Sequence, residues 1–403
     1  MIGDKKIAVF VSDWFWSSIP YEGLNVYLEL CKNYNCDFLM FGKDIRLNKK
    51  FQGHEKFYFD PDKFKNAPGL KILDNWSDMV KASSDYDLII LSSHLAPKGR
   101  WPYWPPLPDG VDRFKSFATK LNCELAVWDI GGSDILSNAV HFADYFFTKG
   151  PLWTKWLEKM GKKAYTTGSP HYDYYLDDCP NIVGTPISED KFVSKYGLSE
   201  AKRRVLVLPS NPGSARHNEQ FQQNMSAVQG LCEVEEIDVL IKTYPHDYLF
   251  YENEAPYTGV YRRGSGFSGT HQGGVVESQR SQYQYISDMF PQVKVVESQD
   301  HFSAIKHCDL IFNIAGSHVA WETVFTQAKS FSMNYKNKPY FGKLPYLPDY
   351  IRFPDELLNH EVRRVEQALQ PFSVNKEECS DFILKEHSIF NISKLVGDIL
   401  RKQ

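Results

Sequence analysis

The chain lacks the cysteine spacing of a metal or disulfide framework. Its seven cysteines, Cys31, Cys36, Cys123, Cys179, Cys232, Cys308 and Cys379, are odd in number and scattered, and no CxxC pair occurs. A zinc site and a stapled secreted scaffold are therefore not expected, and a reducing compartment is. No stretch approaches the roughly 20 consecutive apolar residues that cross a bilayer. The opening MIGDKKIAVFVSDWFW has too short an apolar run for a signal peptide. The expectation is a cytoplasmic protein, at most peripheral to a membrane. Neither sign of charge dominates: 46 Lys and Arg stand against 50 Asp and Glu, a net charge of −4. That balance speaks against a nucleic-acid partner held by bulk charge. The segment LPSNPGSARH (208–217) matches neither a Walker nor a dinucleotide fingerprint.

What remains is globular. Hydrophobic residues make up 42% of the chain and charged residues 24%, enough for sizeable cores. Its 403 residues suit two or three domains. Aromatics reach 15%. Such an excess fills cores, and it also suits carbohydrate sites, where the apolar face of a sugar packs on a ring.

The first half alternates short β-branched or aromatic runs with helical patterns. The runs are 6–12, 36–42, 87–93, 123–130 and 144–150, with a helical pattern at 23–34. A second series follows at 204–210, 237–245, 293–298, 308–317 and 329–335. Continuous apolar strands separated by helices predict parallel sheets covered on both faces. The polar stretch LDDCPNIVGTPISED (176–190) reads as a joint. The expected organisation is a Rossmann-like domain at 1–178 and a linker at 179–190. A second Rossmann-like domain at 191–370 and a helical segment at 371–403 complete it. The Gly-, Ser- and Tyr-rich segment 251–285 reads as a long functional loop. Two such domains facing across a cleft would bind ligands at the carboxyl ends of their strands.

Three elements of the second half follow strands. In LPSNPGSARH (208–217), Ser210, Gly213 and Ser214 let backbone N–H groups approach an anion, and Arg216 or His217 adds charge. An ordinary βα turn explains this segment equally well. In KTYPHDY (242–248), Lys242 and His246 are placed for phosphate contact. In NIAGSHVAWETV (313–324), a strand ends at Gly316 and Ser317 can cap the next helix. His318 lies beside that start, and Glu322 further along. A helix start after Gly-Ser, with an internal Glu, is the usual nucleotide-sugar subsite of two-domain GT-B glycosyltransferases.

The first half offers loops of another kind: SDWFWSS (12–18), with Asp13 and Trp14; SSHLAPKGRWPYWPP (92–106), with Trp101; and WDIGGSD (128–134), with Asp129. Exposed rings beside acids form an acceptor-sugar surface; a hydrophobic plug under a loop is the other reading. PLWTKWLEKMG (151–161) predicts a short helix with an apolar stripe of Leu152, Trp153, Trp156, Leu157 and Met160. Glu158 falls nearly opposite that stripe.

The elements KTYPHD and NIAGSH, the helix carrying Glu158 and the segment QGLCEVEEIDVL (229–240) together resemble a known family. It is the retaining β-Kdo glycosyltransferase domain of WbbB-type lipopolysaccharide O-antigen enzymes. The resemblance implies a GT-B fold, CMP-β-Kdo as donor, and neither metal nor other cofactor. It implies a glycan acceptor on a bacterial surface polysaccharide, lipid-linked and including rhamnose-containing ones. It also implies a place at the inner membrane or within a larger polysaccharide-synthesis polypeptide. Retention implies two displacements through a covalent Kdo–enzyme adduct, for which the family uses an Asp nucleophile. The matching position here is Cys232, so poor turnover is expected. Glu158 matches the family's second acidic position, a general acid/base or positioning group.

Two other readings share the pattern. One is a UDP-sugar 2-epimerase-like enzyme, which needs no acceptor. The other is a non-enzymatic two-lobed sugar-binding protein.

Overall fold

The computed structural model describes residues 5–11, 19–41, 67–73, 76–92, 118–129, 143–177, 184–208, 228–242, 290–297, 300–313, 322–332, 380 and 383–402. The chain divides into two compact units. Unit 1 comprises Met1–Thr185 with Glu377–Gln403, and unit 2 is Pro186–Lys376.

Among the described residues unit 1 has seven strands: β1 (Lys6–Val11), β2 (Asn35–Phe41), β3 (Leu70–Leu73), β4 (Leu88–Ser92), β5 (Glu124–Trp128), β6 (Tyr145–Thr148) and β7 (Lys163–Thr166). They lie in the order β3-β2-β1-β4-β5-β6-β7, and every pairing is parallel. The central strands are the ones whose residues are apolar on both faces. Ile7 to Val11 and Leu88 to Leu91 are wholly buried, as expected where helices cover both sides. Helix α1 (Ile19–Leu30) follows β1, α2 (Trp76–Ala82) precedes β4, and α3 (Pro151–Lys159) joins β6 to β7. Gly23 lets α1 sit close on the sheet, since a Cβ there would overlap Val11 Cγ1.

The amino edge of this sheet is tied by charge. Asp37 accepts from the Tyr86 hydroxyl at 2.9 Å and pairs with Lys6 at 3.0 Å and Lys71 at 2.7 Å. Burial alone would raise the Asp37 pKa, but Lys71, Lys6 and Tyr86 outweigh it and hold the carboxyl below its ordinary value.

Unit 2 opens with α4 (Glu189–Tyr196). Its strands are β8 (Arg203–Leu208), β9 (Ile237–Lys242), β10 (Lys294–Val296), β11 (Leu310–Asn313) and β12 (Lys329–Ser332), with α5 (His301–His307) between β10 and β11. The order is β10-β9-β8-β11-β12, again all parallel. Its core gathers Val205, Val207, Val239, Ile241, Leu310 and Phe312.

The chain then returns to unit 1 as α6 (Ser388–Lys402). Ile389, Ile392, Val396, Ile399 and Leu400 are buried along one face of α6, at helical spacing. This helix packs on α1, and the Tyr34 hydroxyl donates to the Ser393 carbonyl at 3.1 Å. No described helix is long and apolar enough to cross a membrane.

Candidate functional site

In a sheet whose strands all run one way, the residues that follow the strands collect on one edge. In unit 2 the strand order reverses between β8 and β11, the switch point where open α/β sheets take ligands. Lys242 closes β9, beside β8, and Glu322 follows β11. His301 begins α5, after β10. Asp300, just before it, is held from α4 by Lys195 at 2.6 Å and by the Tyr196 hydroxyl, which fixes where His301 stands.

These three residues form one electrostatic group. His301 Nε2 lies 2.8 Å from Glu322 Oε2, and Glu322 is fully buried. Desolvation pushes the Lys242 ammonium down to about 8, and the Glu322 carboxylate acts in the opposite direction. A carboxylate, an imidazole and a readily titrated amine thus meet at a crevice edge. Groups perturbed in this way, by burial together with a charged partner, cluster at functional sites. The amine can meet a phosphate, while the carboxylate and imidazole can accept from and donate to hydroxyl groups.

Unit 1 carries a second set at its own carboxyl edge. Residues 167–175, TGSPHYDYY, are all buried and run across that edge as a strap. Its first amides, Thr167 and Gly168, donate to the Thr148 carbonyl at 3.0 and 3.1 Å. Gly168 has φ +83°, and a Cβ there would crowd Ser388 and the Glu386 carbonyl. Next, the Ser169 hydroxyl donates to the Asp129 carbonyl at 2.5 Å. His171 Nδ1 then meets Glu22 Oε1 at 2.9 Å, and Asn25 donates to the Tyr174 hydroxyl at 3.2 Å.

Of the residues expected from sequence, Lys242 and Glu322 come together as described. Asp129 is fully buried, with Lys149 Nζ 3.8 Å from its carboxylate, and Lys149 lies over the Trp153 ring at 4.5 Å. Glu158 is exposed on α3, where Trp153 and Leu157 are buried and Met160 is 39% exposed. Cys232 sits before the amino end of β9, packed against the unit 2 core. At roughly 3.3 Å per residue, β9 spans about 17 Å from Ile237 to Lys242, and Cys232 precedes its amino end. Burial pushes the Cys232 thiol up to about 11. Asp13, Trp14, Trp101, Ser210, Gly213, Ser214, Arg216, His246, Gly316, Ser317 and His318 lie outside the described residues.

Sequence reading missed Glu22, His171, Lys149 and His301. His301 was the accessible one, since it follows the strand run 293–298 just as Lys242 follows its own.

No protein-family model matches the chain, and no curated protein sequence matches it significantly. Solved structures do. UDP-GlcNAc 2-epimerase from Methanocaldococcus jannaschii is 12% identical, with a TM-score of 0.56 over 97% of this chain and 99% of that one. The Neisseria meningitidis UDP-GlcNAc 2-epimerase bound to UDP-GlcNAc is 10% identical, with a TM-score of 0.51 over 99% and 100%. An Anabaena protein in complex with UDP and glucose is 10% identical, with a TM-score of 0.50 over 99% and 100%. At such identities the likeness is one of fold, and the fold is GT-B.

Proposed function

We propose that this chain is a retaining glycosyltransferase that passes β-Kdo from CMP-β-Kdo to a sugar of a bacterial surface glycan. The observation that carries the reading is the Lys242–His301–Glu322 group at the switch point of unit 2. In the proposed complex the Lys242 ammonium meets the donor phosphate, and Glu322 with His301 binds sugar or ribose hydroxyls. The donor specificity comes from the resemblance of KTYPHD and NIAGSH to the β-Kdo transferases. The reaction is proposed to need no metal, with lysine charge and backbone N–H groups meeting the leaving phosphate. Such a transferase would work at the cytoplasmic side of the inner membrane, on a lipid-linked acceptor.

Retention requires two displacements, and the adduct would form at residue 232. Glu158 is the proposed acid/base or positioning group by the same resemblance. Cys232 precedes β9 and Lys242 ends it, so this step carries its own test, given in the Discussion.

The similarity of fold to UDP-GlcNAc 2-epimerases supports one rival reading, turnover of a UDP-sugar without acceptor. Calorimetry with CMP and UDP separates the two. CMP is expected to bind more tightly, and Lys242→Ala to weaken it. Tighter binding of UDP removes the Kdo reading.

A further inference from the structure

The turn from α1 to β2 brings two thiols together within unit 1. Cys31 follows the last residue of α1, and Cys36 is the second residue of β2; both are free. The backbone on either side is fixed. The Cys31 amide donates to the Tyr27 carbonyl at 2.9 Å, the Lys32 amide to Glu29 at 3.3 Å, and the Asn33 and Tyr34 amides to Leu30 at 3.0 and 2.9 Å. Beyond the turn, Cys36 is in register with Ile7 of β1. The chain thus folds back so that Cys31 Sγ lies 3.8 Å from the Cys36 carbonyl oxygen. The side chains meet as well, for the Cys36 thiol is hydrogen-bonded to the Cys31 sulfur.

The two sulfurs differ in access and acidity. Cys31 is partly exposed, whereas Cys36 is 8% exposed. The bond from Cys36 is the main reason that the Cys31 thiol lies below its ordinary pKa; burial opposes it and the Tyr27 hydroxyl adds to it. Cys36 moves up for the converse reason, its proton being held by Cys31. Burial raises Cys123, Cys232 and Cys308 instead. A cysteine that merely fills space behaves as a small apolar residue. That accounts for Cys308, which is buried, but not for a reachable sulfur supplied with two donors. An accessible thiol inclined to ionise, with a second thiol against it, has the arrangement of an attacking and a resolving cysteine.

We propose that Cys31 and Cys36 form an oxidation site for hydroperoxides, in which Cys31 is oxidised and Cys36 resolves it to a disulfide. With hydrogen peroxide, the Cys31 thiolate attacks one oxygen, the O–O bond breaks, and Cys31 sulfenic acid and hydroxide result. The hydroxide takes up the proton that Cys31 released. The Cys36 sulfur then attacks the Cys31 sulfur, so that the S–S bond forms and the S–O bond breaks. The hydroxyl leaves with the Cys36 proton as water. Two thiols have lost two electrons, and the peroxide has become two waters. Only Cys31 has to meet the oxidant, because Cys36 reacts from within. A dithiol reductant restores both thiols. The bridge ties the end of α1 to the start of β2.

Lys32 lies between the two cysteines, so trypsin places them on separate peptides, 7–32 and 33–43. The full chain is treated with hydrogen peroxide and digested without reduction. The two peptides are expected to run joined by a disulfide and to part on adding dithiothreitol. Cys31 should be consumed about tenfold faster or more than Cys123, which is also partly exposed. In urea that preference should vanish. In Cys36→Ser the sulfenic acid should persist at Cys31 and be captured by dimedone, and in Cys31→Ser the Cys36 thiol should stay reduced. Peptides that stay unjoined in the treated folded chain overturn the proposal. So does a bridge that forms as fast in urea, since proximity in sequence would then suffice. If a serine variant fails to fold, the digests of the parent chain with and without urea decide between these outcomes.

Discussion

Asp173 and Ser388 stand 215 positions apart and are joined twice: the carboxylate accepts from the Ser388 amide at 2.8 Å and from its hydroxyl at 2.9 Å. The Ile389 amide adds a third bond at 3.1 Å. Ser388 begins α6, so the first turn of that helix is capped by a residue from elsewhere in the chain.

That cap should be visible in the pH dependence of stability. Burial pushes the Asp173 carboxyl up to about 7 from an ordinary value of 3.8, against the pull of its three donors. The folded state therefore holds a proton that the unfolded chain releases between these values. Its contribution is full below pH 3.8, declines as pH rises to 7, and is level above. Asp173→Asn should remove this component and cost about 1–3 kcal/mol through lost or mismatched hydrogen bonds. Melting curves from pH 5 to 8 on both chains check it; parallel curves would refute the shift.

Lys242 predicts a second pH dependence, in binding. Its ammonium titrates at about 8, so CMP affinity should fall between pH 7 and 9 as the charge is lost. Lys242→Arg should keep the affinity and flatten the dependence, because a guanidinium stays charged. Lys242→Ala should weaken CMP on the order of tenfold to a hundredfold, matching a charged hydrogen bond of about 1.5–3 kcal/mol. Calorimetry at three pH values measures all three chains.

At Cys232 the expectation is chemical. A thiol raised to about 11 is protonated at neutral pH, and the thiol is a poor nucleophile. Turnover should be slow, iodoacetamide should label the residue sluggishly, and Cys232→Asp should raise transfer by orders of magnitude. Prolonged incubation with CMP-Kdo should leave one Kdo at residue 232, found by intact mass and peptide mapping. An unchanged rate in Cys232→Asp with no adduct would end the double-displacement assignment at this residue.

Gly23 predicts a packing defect. In Gly23→Ala the new methyl overlaps Val11 Cγ1, so α1 must lift from β1. The cost should be about 1–3 kcal/mol, seen as a lower midpoint in urea. A midpoint at or above that of the parent would show that α1 has room.

Ten of the twelve strands among the described residues were legible as short apolar, β-branched or aromatic runs, the central ones buried along their length. The two that were missed, β3 and β7, are edge strands. Their sequences, LKIL and KAYT, are only partly covered and carry no such run. Lys242 and Glu322 were legible by position, each after a strand in a segment with its own signal. Glu22 reads in sequence as an ordinary acid in a helical first turn, and His171 as a loop histidine. Nothing local joins them, because the pair spans 149 positions. Asp173 and Ser388 were invisible for the same reason. A sequence displays its periods, whereas a contact made by the return of the chain leaves no period to read.

The route of the chain sets an order on its birth. A ribosome delivers the strands of unit 1 first, yet the helix that covers α1 comes from residues beyond Lys376. Unit 2, continuous from Pro186 to Lys376, can close on itself before α6 has been made. The nascent protein thus begins one half, completes the other, and returns to finish the first. Throughout that interval the α6-facing surface of α1 and the carboxylate of Asp173 lack their partners. A stop after Lys376 would freeze the chain there, with a finished unit 2 and an open unit 1 exposed to chaperones and proteases.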